Sequence, residues 1–411
     1  MNYSPRWDHQ AARQAMLDEL LVDAAVRMQL SPTLHDKAVA HADAINKYLD
    51  RRDSPLRGRV TLVYPQGSMA IGATIRSAED DDLFDIDLII EVDLPGTVPC
   101  EVLDLLFEAL NGEEGSRYHG AVERQTRCVT IYYEDMHLDV TPLFRADEWA
   151  ERGGHICHAK PEEGAQHHDW VPANPWGFAR WFKEQTPADE WFRQMVLQKS
   201  LDSDRLALAE APSEPVPDHE EIYAKPMAVV ALQLMKRWVR VNHDRRGGKG
   251  RCVPSVALSL MFGTNAGQTG SLSDELIFQA TALHDLLSAE TAAGRVIDLR
   301  NPKLDEDCLT DRWPGDVATQ STFAEDLAGF ITTLEQAQQE TDVETLQTIL
   351  VDLFGEQTSR AVVKAFYERA GTTVKAGESK VMAKTAAVVT GLSRAPAAET
   401  RNSPPHRFYG D

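Results

Sequence analysis

The sequence has few cysteines and no long apolar run. Five cysteines occur among 411 residues. Each is isolated and none forms a C-x-x-C pair, which excludes a disulfide framework and favours a reducing compartment. No stretch approaches the roughly 18 consecutive apolar residues that a membrane-spanning helix needs, and the first residues show no apolar signal-peptide core. We therefore expect a cytoplasmic protein with no membrane partner.

The chain is also poor in positive charge. It has 42 Lys and Arg residues against 64 Asp and Glu residues, so its formal net charge is −22. A protein that holds nucleic acid by its phosphates normally presents a basic face, and this acidic chain would repel a long polyanion. A phosphate-bearing substrate would have to be neutralised by metal ions or by a few well-placed Lys and Arg side chains.

Hydrophobic patterning in the first part of the chain predicts helices followed by strands. Apolar residues recur at helical spacing before residue 50, with Ser31 as the N-cap of a second helix and Pro32 at its first position. The next elements predicted are strands at 59–64 and 84–92, a helix at 102–110 and a hairpin at 128–144. We place the hairpin turn at Glu134–Asp135 and the end of its second strand at Pro142. This mixture indicates the α+β class.

The rest of the chain is predicted to be irregular first and helical afterwards. Residues 146–222 are rich in Trp, His and Pro, and we expect two short helices there, near 177–185 and 189–202. Their histidine-rich part, 153–170, matches no zinc spacing, and we interpret it as a loop. Further helices are predicted at 226–240, 255–262, 274–289, 320–337, 343–353 and 360–369.

These patterns predict a bilobed chain. The units expected are N-terminal scaffold helices (1–58), a mixed-sheet lobe (59–222, with a junction near 211–221), a helical lobe (223–370) and a mobile tail (371–411). The tail is assigned as mobile because it contains several prolines and no hydrophobic periodicity.

Two aspartates interrupt the strand predicted at 84–92. Asp85 and Asp87 project to one face, roughly 7 Å apart at Cα, while their neighbours face the core. Two unpaired carboxylates on one face repel each other and lose hydration, so we expect a cation between them. Asp139 on the hairpin adds a third carboxylate, and three such groups suit hard divalent cations such as Mg²⁺. A lone D-x-D is common in strands, and the acidic run at 80–82 is interpreted as solvated loop charge.

A Gly-Ser pair precedes the aspartates. Gly67 lets the backbone approach an anionic group closely, and Ser68 supplies a hydroxyl and an N–H. The residues that follow are expected to open a helix whose N-terminus favours phosphate. The pair alone is a weak signal, and it gains meaning from the carboxylates downstream.

Together these segments resemble the polymerase-β-like nucleotidyltransferase superfamily. Its motif of Gly-Ser, then D-x-D, then a third Asp on a nearby strand is matched by "PQGSMAIGATIR", "FDIDLIIEV" and "HLDVTPLF". Within it the chain is most similar to the bacterial cGAS/DncV-like nucleotidyltransferases (CD-NTases) of CBASS antiphage operons, through "LMKRWV", "VPSVALSLM" and "LRNPKLDEDCLTDRW". The resemblance implies a mixed sheet with a C-terminal helical bundle lobe. It also implies an enzyme that joins NTPs, with Mg²⁺, into a cyclic oligonucleotide.

The resemblance further implies a role for each matching residue. Asp85 and Asp87 would bind two Mg²⁺ ions, with Mn²⁺ as a substitute, and Asp139 would bind the catalytic ion and help to deprotonate the attacking ribose hydroxyl. The nucleotide would be held by Gln66, Gly67, Ser68, Lys236, Ser255 and Asn301. The last three have plain alternatives: a snorkelling surface lysine, an ordinary first residue of a helix and a turn.

Two other functions stay open. A template-independent RNA nucleotidyltransferase or an oligoadenylate synthetase-like enzyme needs a polyanion groove, which the net charge disfavours. An inactive nucleotide-binding or antitoxin-like module need not keep three clustered carboxylates. No template nucleic acid is expected. The C-terminal tail resembles the accessible end that some CD-NTase operons attach to another molecule through ubiquitin-like conjugation proteins.

Overall fold

A computed structural model describes most of the chain. The described residues are 6–76, 84–149, 151–161, 168–186, 192, 225–267, 269–376, 380–382, 388–389 and 400–402. Several predictions concern residues outside this part, namely the acidic run at 80–82, most of the helix near 189–202, the junction near 211–221 and the end of the tail.

A mixed sheet forms the centre of the first lobe. Its strands are β1 (Val60–Pro65), β2 (Phe84–Val92), β3 (Val122–Arg124), β4 (Val129–Tyr132), β5 (Met136–Arg145), β6 (Gly154–Ala159) and β7 (His168–Ala173). The strand order is β1-β2-β5-β4-β3, and β6 pairs with both β5 and β7. β2 and β5 run parallel, whereas the other neighbours run antiparallel.

Helices surround the sheet and build the second lobe. They are α1 (Arg6–Met28), α2 (Pro32–Leu49), α3 (Gly67–Ala70), α4 (Pro99–Asn111), α5 (Pro175–Gln185), α6 (Met227–Arg245), α7 (Ser255–Thr264), α8 (Leu272–Ala292), α9 (Val317–Ala337), α10 (Val343–Phe354) and α11 (Glu356–Ala376). Short strands are β8 (Arg300–Asn301), β9 (Leu304–Cys308), β10 (Lys380–Met382), β11 (Val388–Val389) and β12 (Thr400–Asn402). None of the described helices is long and apolar enough to cross a membrane.

The first two helices join different hydrophobic cores. Leu20 and Leu21 of α1 are fully buried in the core of the helical lobe. Ile45 of α2 is fully buried in the core of the sheet lobe, together with Ile86 of β2. Burying one such side chain is worth about 1.5–3 kcal/mol, so each helix belongs to the lobe it packs against. The segment 1–58, predicted as one scaffold unit, is therefore divided between the lobes.

Ser31 and Pro32 begin α2 as predicted. The Ser31 hydroxyl accepts a hydrogen bond from the Leu34 N–H at 3.3 Å, and Pro32 is the first residue of the helix. This cap fixes where α2 starts over the sheet.

Pro142 does not end the second hairpin strand, contrary to the prediction. β5 continues to Arg145, and its partner on one side changes from β4, which pairs as far as Val140, to β6, which pairs from Leu143. Pro142 lies at this change of partner. Its missing N–H therefore breaks no ladder bond on that side.

The segment 146–222 is more regular than predicted. β6 and β7 pair over 154–173, so the described part of the histidine-rich stretch is a strand pair and not a loop. Polar residues occupy both faces of these outer strands and hide the alternation. Pro172 is tolerated because β7 lies at an edge of the sheet.

The last helix extends beyond the boundary predicted at residue 371. α11 runs to Ala376, and β10, β11 and β12 pair with one another beyond it. Gly371 costs only about 1 kcal/mol relative to Ala inside a helix, which is too little to end a helix that contacts α1 and α10. Attachment of the tail to a partner concerns residues after 402 and stays a prediction.

Candidate active site

Polar side chains of four adjacent chain segments form one row across the sheet. The Gln66 N–H donates to the Asp87 carbonyl at 2.9 Å. The parallel register of β2 and β5 pairs Asp87 with Asp139, and the hairpin register pairs Asp139 with Thr130. Paired residues on neighbouring strands point to the same face, about 4.8 Å apart. The row therefore brings the D-x-D motif and the third aspartate together, as predicted.

The opposite face of β2 explains why these carboxylates stay on this side. Phe84, Ile86 and Leu88 are fully buried in the core between the sheet and helices α2 and α4. Turning Asp87 inward would require those apolar residues to face water. The strand pattern therefore fixes the direction of the aspartates.

The three carboxylates differ in their surroundings. The Asp85 side chain is exposed, and its Oδ1 lies 3.7 Å from Nδ1 of His137. Asp87 and Asp139 are half-buried. Burial, followed by the negative charges of Asp139 and Asp85, raises the pKa of Asp87 to about 7. The site therefore holds more negative charge than its environment stabilises, which favours a cation.

Gly67 is the residue that this row requires. Its φ of +55° lies in the left-handed region, and a Cβ there would lie 2.6 Å from Oδ2 of Asp87. Any other side chain would collide with the carboxylate. The helix that follows, α3, has only four residues. The helix expected at the Gly-Ser pair is therefore formed, but it is too short for a sizeable dipole, so its N-terminus adds little to phosphate binding.

Lys236 reaches the Gly-Ser turn from the helical lobe. Its Nζ donates to Oγ of Ser68 at 2.6 Å and to the carbonyl of Ala73 at 3.0 Å. Burial lowers the pKa of Lys236 to about 8, and the charges of Asp87 and Asp85 oppose this shift. This inward contact does not match a snorkelling surface lysine. It places a positive charge between the turn and the aspartates.

Two other predicted nucleotide ligands lie near the turn. The Gln66 Nε2 donates to Oγ1 of Thr141 at 3.3 Å, which directs the side chain along the sheet. Ser255 is exposed at the first position of α7, and α7 contacts α3. Gln66 therefore lies directly before the Gly-Ser turn, and Ser255 begins the helix of the other lobe that contacts α3.

Asn301 is not brought to the aspartates. It is 2% exposed, and its Nδ2 donates to the Asn174 carbonyl at 3.0 Å and to Oδ2 of Asp307 at 2.8 Å. Its Oδ1 accepts from the Lys303 N–H at 2.9 Å. The amide is fully used inside the junction between the lobes, where it positions protein groups.

Several known proteins are similar to this chain in sequence and in fold. Residues 16–186 match the Second Messenger Oligonucleotide or Dinucleotide Synthetase domain. The cyclic dinucleotide synthase CdnG of Bradyrhizobium diazoefficiens is 36% identical over 361 residues, which cover 87% of this chain and 85% of CdnG. The structure of that CD-NTase in complex with GTP matches with a TM-score of 0.75, covering 86% of this chain and 99% of that one. A c-di-GMP synthase of Roseivirga ehrenbergii is 27% identical over 172 residues, covering 41% of this chain and 43% of its own.

The chain belongs to the CD-NTase family. It is therefore an enzyme, a nucleotidyltransferase, and the resemblance stated from its motifs is confirmed. The predicted mixed sheet with a helical C-terminal region is confirmed as well.

One contact of this CD-NTase was missed from the sequence. The Thr130 hydroxyl donates to Oδ1 of Asp139 at 2.5 Å, and Thr130 is 6% exposed. The position of the hairpin turn would have identified Thr130 as the neighbour of Asp139. Counting outward from a turn at Glu134–Asp135 pairs 132 with 137 and 130 with 139, as the register shows.

The donor set of this CD-NTase fits Mg²⁺ that arrives with its nucleotide. Among the residues that the structure describes, no three His, Cys, Asp or Glu side chains are grouped closely enough to form a ready metal site. Mg²⁺ keeps several waters and is commonly held by one or two carboxylates together with substrate phosphates. Burial, and then neighbouring negative charge, raises the pKa of Asp85 and of Asp87, and carboxylates of this kind on adjacent strands suit that arrangement.

Proposed function

We propose that this CD-NTase joins NTPs into a cyclic oligonucleotide that serves as a second messenger in antiphage defence. The observation that carries the proposal is the row of Asp87 and Asp139 beside Gly67, with Lys236 on Ser68. Its relative CdnG is named a cyclic dinucleotide synthase and has been solved with GTP, and a second relative is named a c-di-GMP synthase. These names favour a cyclic dinucleotide that contains guanine.

The Gly-Ser turn and Lys236 would bind the donor triphosphate. Gly67 leaves the backbone open to a phosphate, and the Ser68 hydroxyl and the Lys236 ammonium already lie together at 2.6 Å. A phosphate oxygen beside Lys236 favours its charged form, which burial otherwise disfavours. This contact supplies positive charge directly at the donor phosphates.

Asp85, Asp87 and Asp139 would hold Mg²⁺, for which Mn²⁺ can substitute. When bound, the ions neutralise charge on the transferring phosphate. In each transfer, a ribose hydroxyl oxygen of the acceptor attacks the α-phosphorus of the donor and pyrophosphate leaves. Asp139 accepts the hydroxyl proton. A second transfer on the linear product, to its own 5′-triphosphate, closes the ring and releases a second pyrophosphate.

Incubation with labelled NTPs tests this function. Purified protein is mixed with all four NTPs, Mg²⁺ and an added RNA, treated with phosphatase, and the product is analysed by mass spectrometry. We expect a phosphatase-resistant cyclic dinucleotide and no label in the RNA. The Asp85→Asn/Asp87→Asn double variant should lose at least about 100-fold in rate, because the transition-state charge is no longer neutralised.

The exposed carboxylate of Asp93, directly after β2, provides the matched control. Asp93→Asn should keep wild-type turnover. Label found only in the RNA would assign the chain to RNA-tailing enzymes instead. Nucleotide binding without turnover would contradict the proposal in favour of a binding module.

A further inference from the structure

Three arginines are gathered at one end of the aspartate row. Arg127 lies two residues before the start of β4, and its Nε donates to Nδ1 of His158 at 3.0 Å. The same guanidinium donates to a carboxylate oxygen of Asp311 in the helical lobe. Arg312 follows Asp311 in the chain, so this ion pair brings Arg312 beside Arg127. Arg251, shortly before α7, is the third member, because it is near enough for its charge to act on Arg312.

Two of these arginines, Arg251 and Arg312, make no direct contact with a carboxylate of the described residues, although the charge of Asp311 acts on Arg312. Arg251 and Arg312 are exposed, and neither forms an ion pair or hydrogen bond with any residue that the structure describes. Partial desolvation, and then the charges of Arg127 and Arg251, lower the pKa of Arg312. Positive charges held close together repel one another, and such a cluster is unexpected in a chain of net charge −22. An anion between them would remove the repulsion.

The cluster lies across the aspartates from the Gly-Ser turn. In the sheet order, β1 and the turn lie on one side of β2 and β5, and β4 lies on the other. Cys128 extends β4 by one residue and hydrogen-bonds with the Asp139 and Thr130 side chains. Its neighbour in sequence is Arg127. Three strand spacings of about 4.8 Å separate the two ends of the row, so one phosphate group cannot contact both.

We propose that Arg127, Arg251 and Arg312 bind the 5′-triphosphate of the acceptor nucleotide, whose ribose hydroxyl attacks. The inference rests on the proposed function and deepens it. The donor triphosphate lies at Lys236 and Ser68, so the second nucleotide must enter from the Asp139 side. A compact cluster of three arginines, one of them shared with Asp311, suits a single polyphosphate chain, but it does not form the extended basic stripe that an RNA strand needs.

Because the reaction has two transfers, the arginine cluster binds a triphosphate in only one of them. In the first transfer the acceptor keeps its triphosphate, which becomes the 5′ end of the linear dinucleotide. In the second transfer that triphosphate is itself the donor and must move to the Lys236 side. The arginine cluster therefore serves the first transfer and is empty of phosphate during ring closure.

Separate donor and acceptor probes test the proposal. Dideoxy-GTP lacks ribose hydroxyls and acts only as a donor, whereas guanosine, GMP and GTP are offered as acceptors. Products are resolved by mass. For the wild type, we expect the acceptor KM to fall from guanosine to GTP. In Arg251→Gln/Arg312→Gln, the KM for GTP should rise about 10- to 100-fold, the effect of losing hydrogen bonds to a charged group. The KM for guanosine should not change.

Ring closure supplies a second readout. With a synthetic linear 5′-triphosphorylated guanine dinucleotide, the double variant should close the ring at the wild-type rate. The control pair Arg295→Gln/Arg360→Gln removes two exposed, ion-paired arginines elsewhere and should match the wild type throughout.

Distinct outcomes would overturn the inference. Equal use of guanosine and GTP by the wild type would show that no acceptor phosphate is bound. A KM that rises equally for all acceptors, or a lower melting temperature, would assign the arginines to joining the lobes. Absence of any dinucleotide from the wild type would instead refute the proposed function.

Discussion

Thr130 holds one carboxylate of the site from the neighbouring strand. Its hydroxyl donates to Oδ1 of Asp139 at 2.5 Å, and the Cys128 thiol reaches the same carboxylate. Burial raises the pKa of Cys128, so the thiol stays protonated and acts as a donor. Asp139 is thereby oriented with one oxygen engaged. Thr130 is a positioning residue, because it acts on the reaction through Asp139.

Removing the Thr130 hydroxyl should slow catalysis while leaving nucleotide binding intact. In Thr130→Val the shape is kept, and one hydrogen bond to a charged group is lost. We expect kcat to fall about 10- to 100-fold and the Mg²⁺ concentration for half-maximal rate to rise, with little change in the nucleotide KM. Steady-state rates over a Mg²⁺ series measure both effects.

Two further variants decide between positioning and packing. Thr130→Ser restores the hydroxyl and should recover most of the rate. Thr61→Val makes the same change at an exposed position of β1 and should be silent. A Ser variant as slow as the Val variant would point to lost packing.

Residues that follow local rules could be predicted, and residues defined by contacts between lobes could not. Strand alternation alone places Asp85 and Asp87 on one face. The steric reason for glycine at position 67 is not visible in the sequence. A Cβ there would clash with Asp87, and that clash depends on how β1 pairs with β2. Asn301 shares a turn-like sequence with many loops, and its burial against Asn174 and Asp307 depends on a contact between segments far apart in the chain.

At the scale of elements, α1 is joined to α8 by a buried carboxylate. The Ser273 N–H in the first turn of α8 donates to Oδ1 of Asp18 at 2.8 Å. Burial is the main cause that raises the pKa of Asp18 to about 6, although the hydrogen bonds to Ser273 oppose it. The folded protein therefore binds this proton more tightly than the unfolded chain does, where the ordinary value is 3.8.

Asp18 should make stability decline as pH rises from about 4 to about 6. A raised carboxyl pKa means that the folded state holds more protons in this window, so the free energy of unfolding falls as the group ionises. Asp18→Asn keeps an acceptor for Ser273 without the charge. Its free energy of unfolding relative to the wild type should rise across the window and level off above about pH 7, as measured by urea denaturation.

Asp342 gives the opposite case as a control. It caps α10, and its hydrogen bonds to Thr345 lower its pKa. Its contribution is lost only as pH falls below the ordinary carboxyl range, so the Asp342→Asn difference should be flat above about pH 5. A flat difference for Asp18→Asn over pH 4–6 would show that Asp18 is not desolvated.

Elements whose apolar residues recur with one clear period could be predicted from the sequence, whereas the outer strands of the sheet could not. β2 combines a fully apolar face with polar positions, and α2 has both a cap and a periodic face. β6 and β7 leave polar residues on both faces, since β6 pairs with β5 and β7 pairs with β6 at the rim of the sheet, and core burial contributes less to them. Such strands lack the period on which the prediction depends.

At the scale of the whole molecule, two of the contacts that join the lobes involve residues outside the aspartate row. One is the ion pair of Arg127 with Asp311. The other is the buried amide of Asn301, which connects Asn174, ahead of α5, with Asp307 of β9. Lys236 can meet Ser68 only while the lobes keep this arrangement. The Asn301 part of the junction therefore controls the site through position, without contacting nucleotide.

Asn301→Ala tests this division of roles. The substitution removes one donor each from Asp307 and from the Asn174 carbonyl, which keep only the Asn174 N–H and the Phe178 N–H, so the free energy of unfolding should fall by about 1–3 kcal/mol. At a temperature where the variant is folded, kcat should drop as the lobes lose their fixed relation, while the nucleotide KM stays near wild type. Asn265→Ala, which removes a half-buried amide at the end of α7, should change neither. A raised KM with unchanged stability would show that Asn301 contacts nucleotide after all. The Asn301 amide would then have to leave the junction when substrate binds, and the junction would be a moving part of the enzyme.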